Sequence, residues 1–210
     1  MQLWSGVLSN NAAKVRIVLA EKGIDVEIHE VPWTKESLWE PKPAEFLAVS
    51  PRGEVPVLID DGFVVHDSTV INEYLEERYP EPALFPADTR TRAECRIWED
   101  EGDFNQKHVA VLISDFFLGE PEAPLTPAAR EAIDALGEFY KRLDSQLDGR
   151  EYLCGGFSVA DISVFMTLAF AVTLGAEITQ ENLEAWYERM MARPVIAREY
   201  QAILAAAAAL

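Results

Sequence analysis

The sequence predicts an α/β domain over residues 1–80, a linker at 81–87 and an all-helical domain over 88–210. Three observations support this division. Strand and helix patterns alternate through the first eighty residues. The proline-rich segment 80–86 then interrupts them, and no convincing strand pattern follows residue 90. The two parts therefore belong to different structural classes, one α/β and one all-α.

The first domain is predicted to contain four strands and three helices. Polar and apolar residues alternate from Asp25 to Val31, as in a half-buried strand, and Gly23 ends the helix before it. Asp60-Asp61-Gly62 between two apolar runs indicates a hairpin. The predicted elements are strand 2–4, helix 11–22, strand 25–31, helix 44–48, strands 57–59 and 63–66, and helix 69–79. This β-α-β-α-β-β-α order is the thioredoxin-like arrangement, with a parallel first half and an antiparallel hairpin at the edge.

The second domain is predicted to be a bundle of five helices. They cover residues 88–117, 127–147, 158–174, 180–192 and 195–208. Ser158 and Asp161 form a capping-box-like pattern at the start of the third of these helices. Asp161 is therefore predicted to be a structural carboxylate, although a carboxylate in an apolar segment could also be catalytic.

The composition excludes several classes of partner. The 210 residues include 36 acidic and 18 basic side chains, a formal charge of −18, whereas nucleic acids and anionic membranes require a basic surface. No apolar run reaches the roughly 18 residues of a membrane span, and no signal peptide is visible. Cys95 and Cys154 lack metal-binding spacing. We therefore expect the two cysteines to be reduced and buried and the protein to be cytoplasmic. We also expect no metal site.

The most informative feature for function is the segment Gly53–Leu58, followed by Asp67-Ser68. Pro56 removes a donor from an apparent strand, which fits if a cis Val55–Pro56 bond begins that strand. The Val55 backbone would then be available to pair with an extended peptide. Ser68, at a predicted helix start, offers a hydroxyl and an N–H to a carboxylate. The pattern predicts a small acidic peptide as the ligand.

These residues resemble motifs of the soluble glutathione transferases. Ser9, followed five residues later by Lys14-Val15-Arg16, is similar to the serine and first helix of that family. The resemblance extends over essentially the whole chain and points to a bacterial-like, serine-type member. It implies glutathione as co-substrate, no metal, and a cytoplasmic detoxification enzyme.

The resemblance implies that Ser9 activates the glutathione thiol. The thiolate is the nucleophile, and a hydroxyl donor beside a helix N-terminus favours the anion. Two alternatives stay open: Ser9 could only cap the helix, and Asn11 could donate to the sulfur instead. Tyrosine is absent from the first 70 residues and cysteine from the first 90. This excludes the tyrosine-dependent mode of the family and disfavours its mixed-disulfide classes.

The resemblance also assigns glutathione-binding roles. The motif Glu54-Val55-Pro56 is expected to pair with the cysteinyl backbone. Asp67 and Ser68 are expected to hold the γ-glutamyl group, although the family commonly has the longer Glu or Gln at the Asp67 position. Lys42 matches a family lysine that meets the glycyl carboxylate, but it could also be a solvated loop residue.

An electrophile pocket is expected from the loop after the first strand and the first long helix of the second domain. Its candidate residues are aromatic or apolar, apart from one histidine that could act as an acid or base: Trp4, Val7, Leu8, Trp98, Phe104, His108 and Leu112. A core role is the alternative for the aromatic residues. The second substrate is expected to be a small hydrophobic electrophile.

The resemblance further implies a homodimer. The helix over 69–79 carries Glu73, Glu76 and Glu77, and the helix after residue 88 carries a basic cluster, Arg90, Arg92 and Arg96. These faces could pair between two copies, or the arginines could form salt bridges within their own helix.

Two other functions stay open at this stage. One is a glutathione-dependent isomerase, dehalogenase or ether-cleaving enzyme of the same family. The other is a non-catalytic module that binds glutathione or a protein partner.

Overall fold

The structure, a computed structural model, describes residues 1–34, 39–118 and 124–209. The chain divides into two compact units. The first comprises Met1–Leu84 together with Arg193–Leu210, and the second comprises Phe85–Ala192. Within the described ranges, no helix is long and apolar enough to cross a membrane. The predicted boundaries at residues 80 and 88 stay predictions.

The first unit contains the predicted four-stranded sheet. Its strands are ordered β2-β1-β3-β4, with β1 parallel to β2 and antiparallel to β3, and β3 antiparallel to β4. Leu3 lies opposite Leu58 in the central pair, and both side chains are fully buried. The elements are β1 Gln2–Ser5, α1 Asn10–Glu21, β2 Glu27–Glu30, α2 Ala44–Val49, β3 Val57–Asp60, β4 Phe63–His66, α3 Ser68–Arg78 and the last helix of the chain, Pro194–Ala208. The thioredoxin-like prediction is confirmed.

In the described part of the second unit there are four helices: α4 Thr89–Leu118, α5 Pro127–Gln146, α6 Val159–Thr173 and α7 Glu181–Met191. The helix Pro194–Ala208 is therefore α8. Nearly all of α6 is buried, as expected from its apolar sequence. Gly102 of α4 permits a close approach to α6, because a Cβ there would lie 2.7 Å from the Ser163 Oγ. The helical class predicted for this part of the chain is confirmed.

Asp161 is structural, as predicted. Its Oδ2 accepts hydrogen bonds from the backbone N–H and the hydroxyl of Ser158, each 3.0 Å long. Its Oδ1 accepts from the Leu153 N–H at 3.0 Å and the Trp186 Nε1–H at 2.9 Å. Burial raises the pKa of Asp161, and the donated hydrogen bonds act in the opposite direction. This carboxylate joins α6, α7 and the segment before α6.

The two cysteines are free and buried, as the sequence predicts. Although far apart in the chain, the two thiols lie close enough in the second unit for each to alter the pKa of the other. The pKa of Cys154 is raised, first by its interaction with Cys95 and then by burial. A buried thiol of raised pKa is a poor nucleophile.

One expectation about α3 is wrong. Glu76 was placed on an exposed acidic face, but it is buried. Its Oε2 accepts from the fully buried Lys22 Nζ at 2.7 Å and from the Leu84 N–H at 3.1 Å. Lys22 also donates to the carbonyls of Tyr79 and Pro82. A buried charge requires such partners, and this pair joins the end of α1 to the end of α3 and the chain that follows it.

Candidate active site

A cavity of about 940 Å³ lies in the first unit. Its walls come from the start of α1, the loop before α2, the loop before β3 and the start of α3. It brings together all the residues predicted to be catalytic or to bind glutathione: Ser9, Asn11, Lys42, Glu54, Val55, Pro56, Asp67 and Ser68. Ser9 and Ser68 are 59 positions apart in the sequence, so the fold creates the cluster.

Ser9 lies in the loop between β1 and α1 and is the N-cap of α1. Its Oγ accepts a hydrogen bond from the Ala12 N–H at 3.2 Å, and its own N–H donates to the Gly6 carbonyl at 2.9 Å. A serine hydroxyl can accept and donate at the same time. Capping therefore leaves the hydroxyl hydrogen available for a ligand in the cavity, so capping and catalysis are compatible.

Asn11 lies in the first turn of α1 and also lines the cavity. Both candidate hydrogen-bond donors to the glutathione sulfur, Ser9 and Asn11, therefore lie on the cavity wall. Ser5, by contrast, is fully buried in β1, where its Oγ accepts a hydrogen bond from Arg16.

The loop before β3 is held by a serine that the sequence reasoning missed. The Ser50 hydroxyl donates to the Glu54 carbonyl and accepts from the Glu54 N–H, each at 3.0 Å. Gly53 has φ = 64°, a conformation that favours glycine. The Val55–Pro56 bond is cis, as expected. Val55 precedes the first paired residue of β3, Val57, so its backbone lies beyond that strand pairing.

The start of α3 differs from the prediction. The sequence suggested that the helix begins at Thr69 behind Ser68, but Ser68 is its first residue and Asp67 is the N-cap. Asp67 Oδ1 accepts from the N–H groups of Thr69 at 3.0 Å and Val70 at 3.4 Å. Asp67 is thus a capping residue, while the buried Ser68 lies on the cavity wall at the positive end of the helix.

Among the residues that the structure describes, Lys42 and Arg52 are the cations on the cavity wall, and the imidazole of His66 also lines it. The Lys42 Nζ donates to Glu40 Oε1 at 2.7 Å, and this hydrogen bond is the main cause of the lowered pKa of Glu40. Arg52 is exposed to solvent. The cavity wall therefore carries charges of both signs, with Lys42 and Arg52 beside the acidic Glu54 and Asp67.

Several cavity residues were not predicted. Trp39 packs so closely on Gly6 that a Cβ there would lie 2.4 Å from the Trp39 Cζ3. His66 is the last residue of β4. No sequence pattern around it indicated that it would line the cavity. The other cavity residues that the sequence reasoning did not assign to the site are Val31, Ser50, Pro51 and Val70.

The candidate electrophile residues of the first unit differ in environment. Trp4 packs with the core residues Val31, Phe46 and Val57 and stacks on His29, with ring centroids 4.9 Å apart. The role of Trp4 in an electrophile pocket stays a prediction. Val7 and Leu8 are half-buried in the loop that carries Ser9.

The candidate electrophile residues of the second unit all lie on α4. Phe104 is 60% exposed, and the Lys107 Nζ lies 3.3 Å from its ring centroid. Leu112 is only 2% exposed and belongs to the core, while Trp98 is half-buried. The pKa of His108 is lowered by burial and by the neighbouring Lys107 charge. The roles of these residues stay predictions.

Comparison with known proteins identifies the family. The family model for the glutathione S-transferase N-terminal domain matches residues 4–83, and the model for the C-terminal domain matches residues 107–194. A solved glutathione S-transferase from Rhodospirillum rubrum F11 is 30% identical, with a TM-score of 0.81. The match covers 94% of this chain and 90% of that chain.

Two further relatives bear on function. The theta class glutathione S-transferase from Xanthomonas axonopodis pv. citri, solved with glutathione bound, is 27% identical with a TM-score of 0.82, over 95% of this chain and 96% of that chain. Protein LigF from Sphingobium sp. (strain NBRC 103272 / SYK-6) is 32% identical over 96% of this chain and 93% of its own length. The chain belongs to the glutathione S-transferase family.

Proposed function

We propose that this protein is a glutathione transferase that binds glutathione in the cavity of the first unit and activates its thiol with Ser9. One observation carries the proposal: a single cavity brings together Ser9, Val55 and Ser68, the residues proposed to meet the thiol, the peptide backbone and a carboxylate. Similarity to a glutathione S-transferase solved with glutathione bound supports the choice of ligand.

Thiol activation follows from the position of Ser9. A thiol becomes a strong nucleophile when it loses its proton, and hydrogen-bond donors and positive dipole ends favour the anion. Ser9 supplies a hydroxyl at the N-terminus of α1, and its oxygen already accepts from the Ala12 N–H. The thiol proton leaves to solvent, and the thiolate remains as an acceptor of the Ser9 hydroxyl hydrogen.

The bond-forming step needs only the thiolate and an electrophilic carbon. A sulfur–carbon bond forms, and either a leaving group departs with its electron pair or the addition product takes a proton from solvent. Val7 and Leu8 are half-buried in the loop that leads to Ser9 and supply apolar surface near the nucleophile. We therefore propose a small hydrophobic electrophile as the second substrate.

Glutathione binding would use both ends of the peptide. The Val55 backbone pairs with the cysteinyl residue, and the α3 N-terminus with Ser68 receives the γ-glutamyl carboxylate. Asp67 offers a negative charge to the γ-glutamyl amine while its Oδ1 caps α3. Lys42 and Arg52 supply positive charge for the glycyl carboxylate.

Three alternatives to this proposal can be tested against it. Asn11 is on the same cavity wall and could replace Ser9 as the donor to sulfur. The similarity to Protein LigF, whose name does not specify a transferase, keeps another glutathione-dependent reaction of the family as a candidate. A non-catalytic glutathione-binding module would have the same cavity but no turnover.

Binding calorimetry and a conjugation assay test the proposed function together. We expect glutathione to bind with one site per chain and to react with a chromogenic aryl halide. Glutathione esterified at its glycyl carboxylate should bind at least about tenfold more weakly, because it loses a charge-assisted contact. Binding without turnover on a broad electrophile panel would favour the non-catalytic module. Absence of glutathione binding would overturn every enzymatic proposal made here.

We also propose a cytoplasmic homodimer. The two free cysteines are consistent with a reducing compartment. Glu77 of α3 and Arg96 of α4 are both exposed, so their faces could attract each other between two copies. Glu76 is excluded from this interface by its burial, and the Arg92 guanidinium lies 4.8 Å from the Phe85 ring centroid.

Charge reversal tests the dimer. Light scattering at micromolar concentration should report a dimer for the wild type and a monomer for Arg92→Glu/Arg96→Glu, because the reversed charges would face acidic groups. Arg198→Glu, on an exposed position of α8, makes a charge change of the same kind and should leave the dimer intact. A monomeric wild type, or a dimer that survives the double reversal, would show that this interface is wrong.

A further inference from the structure

The loop that presents Ser9 is held by side chains from outside it. We define the Ser9 loop as residues Gly6–Ser9, between β1 and α1. The Val7 N–H donates to Glu30 Oε1 at 2.6 Å, and the Ser9 N–H donates to the Gly6 carbonyl at 2.9 Å. Two carbonyl groups of the loop, those of Gly6 and Val7, are bound by a different side chain.

That side chain is Arg16 of α1, about two helical turns beyond Ser9. Its Nη1 donates to the Gly6 carbonyl at 3.1 Å and to the Ser5 hydroxyl, and its Nη2 donates to the Val7 carbonyl at 3.3 Å. A guanidinium is planar and presents its donors in fixed directions. Arg16 therefore fixes three consecutive residues of the chain that leads to Ser9.

Arg16 is itself held by the last helix of the chain. Glu199 of α8 accepts hydrogen bonds at Oε1 from the Arg16 Nε, at 2.8 Å, and from Nη2. The two side chains are only 12% and 15% exposed. Ion pairs of this kind are screened by solvent much less than surface pairs, so the orientation of the guanidinium depends on Glu199.

We propose that Arg16, oriented by Glu199, is a positioning residue that sets the place of the Ser9 hydroxyl. The inference rests on the proposed function for its catalytic consequence, but its structural part can be measured without activity. The proposal gives α8 an indirect role in the reaction. Among the described residues that line the cavity, Glu199 is not included.

The chain contains a matched control for this ion pair. Arg193, at the N-cap of α8, donates from Nε and Nη2 to the two carboxylate oxygens of Glu21 at 3.3 and 3.0 Å. Glu21 is the last residue of α1. Both ion pairs therefore join α1 to α8, but the Glu21 pair lies at the end of α1 farthest from the Ser9 loop. Glu21 and Glu199 have equal side-chain exposure, 15%.

The experiment compares E199Q with E21Q in the full chain. Hydrogen exchange of the Val7 and Ser9 amides should accelerate about tenfold in E199Q and remain unchanged in E21Q, because only Glu199 orients the residue that holds the loop. Turnover with glutathione should fall about tenfold to hundredfold in E199Q, on the scale expected for a misplaced catalytic group. The KM for glutathione should stay nearly constant, because its proposed binding groups lie on other loops.

The variant R16K tests whether the positive charge of Arg16 is enough to hold the Ser9 loop or whether the guanidinium geometry is needed. A lysine keeps the positive charge but cannot reproduce the planar fork, so R16K should accelerate amide exchange and lower turnover as E199Q does. Equal amide exchange in E199Q and E21Q would overturn the inference whatever the activity. Normal turnover in E199Q would overturn it as well, provided that Ser9→Ala is impaired. If the wild type has no conjugation activity, the proposed function fails, and amide exchange still decides whether Arg16 and Glu199 hold the loop.

Discussion

Replacement of Ser9 by alanine is expected to lower turnover by about tenfold to a thousandfold, on the scale of removing one oriented donor from an anion. Glutathione binding should be nearly unchanged, because Ser9 is proposed to contact only the sulfur. The pKa of the bound thiol should rise, since the thiolate loses its hydrogen-bond donor. Steady-state kinetics and the ultraviolet absorbance of the bound thiolate as a function of pH measure these effects.

Ser9→Ala also removes a helix cap, so it needs a control for stability. Thr126→Ala is that control. The Thr126 hydroxyl accepts from the Ala129 N–H at 3.2 Å, the same distance as from the Ser9 hydroxyl to the Ala12 N–H. Each substitution should cost about 1 kcal/mol of stability, but only Ser9→Ala should lower turnover. Equal turnover in the two variants would transfer the role to Asn11 or to backbone amides.

Replacement of Asp161 by alanine should produce the largest loss of stability. The substitution leaves four buried donors of Leu153, Ser158 and Trp186 without their acceptor. An unsatisfied buried group costs about 1–3 kcal/mol, and relaxation of the site recovers part of the sum. We therefore expect the free energy of unfolding to fall by at least about 3 kcal/mol in chemical denaturation.

Asp144 is a matched control for Asp161 in the same unit. Its Oδ1 also accepts at the start of a helix, from the N–H groups of Asn182 at 2.8 Å and Leu183 at 3.1 Å, but Asp144 is only half-buried. Water can replace an acceptor there, so Asp144→Ala should cost only about 1 kcal/mol. Equal losses in the two variants would mean that burial adds nothing to the Asp161 network.

The parts of the fold that were predictable depend on local patterns. The β3–β4 hairpin was marked by turn residues between apolar runs, and the start of α6 by a capping box at Ser158 and Asp161. These signals act over a few residues, so the sequence displays them directly. The start of α3 was predicted one residue too late, because two adjacent residues, Asp67 and Ser68, can both cap a helix.

The parts that were not predictable depend on long-range contacts. Glu76 was placed on the surface because nothing near it in the sequence reveals Lys22, 54 residues away. Trp39 reaches the cavity from a segment with no periodicity, so no pattern indicated which way it faces. Ser9, Val55 and Ser68 could be grouped into one site because the family resemblance supplied their spatial relation. The Arg16–Glu199 contact spans 183 residues and has no local signal.

The two buried cysteines can report local opening of the protein without an added label site. Both cysteines of the chain lie in the second unit, and the first unit, including α8, has none. A thiol-specific reagent can react with Cys95 or Cys154 only when that unit opens, so its labelling rate follows the opening of one unit alone. Mass spectrometry after timed labelling would then measure the opening of the second unit separately from that of the first. A cysteine added on the surface could also be labelled selectively with both native cysteines in place.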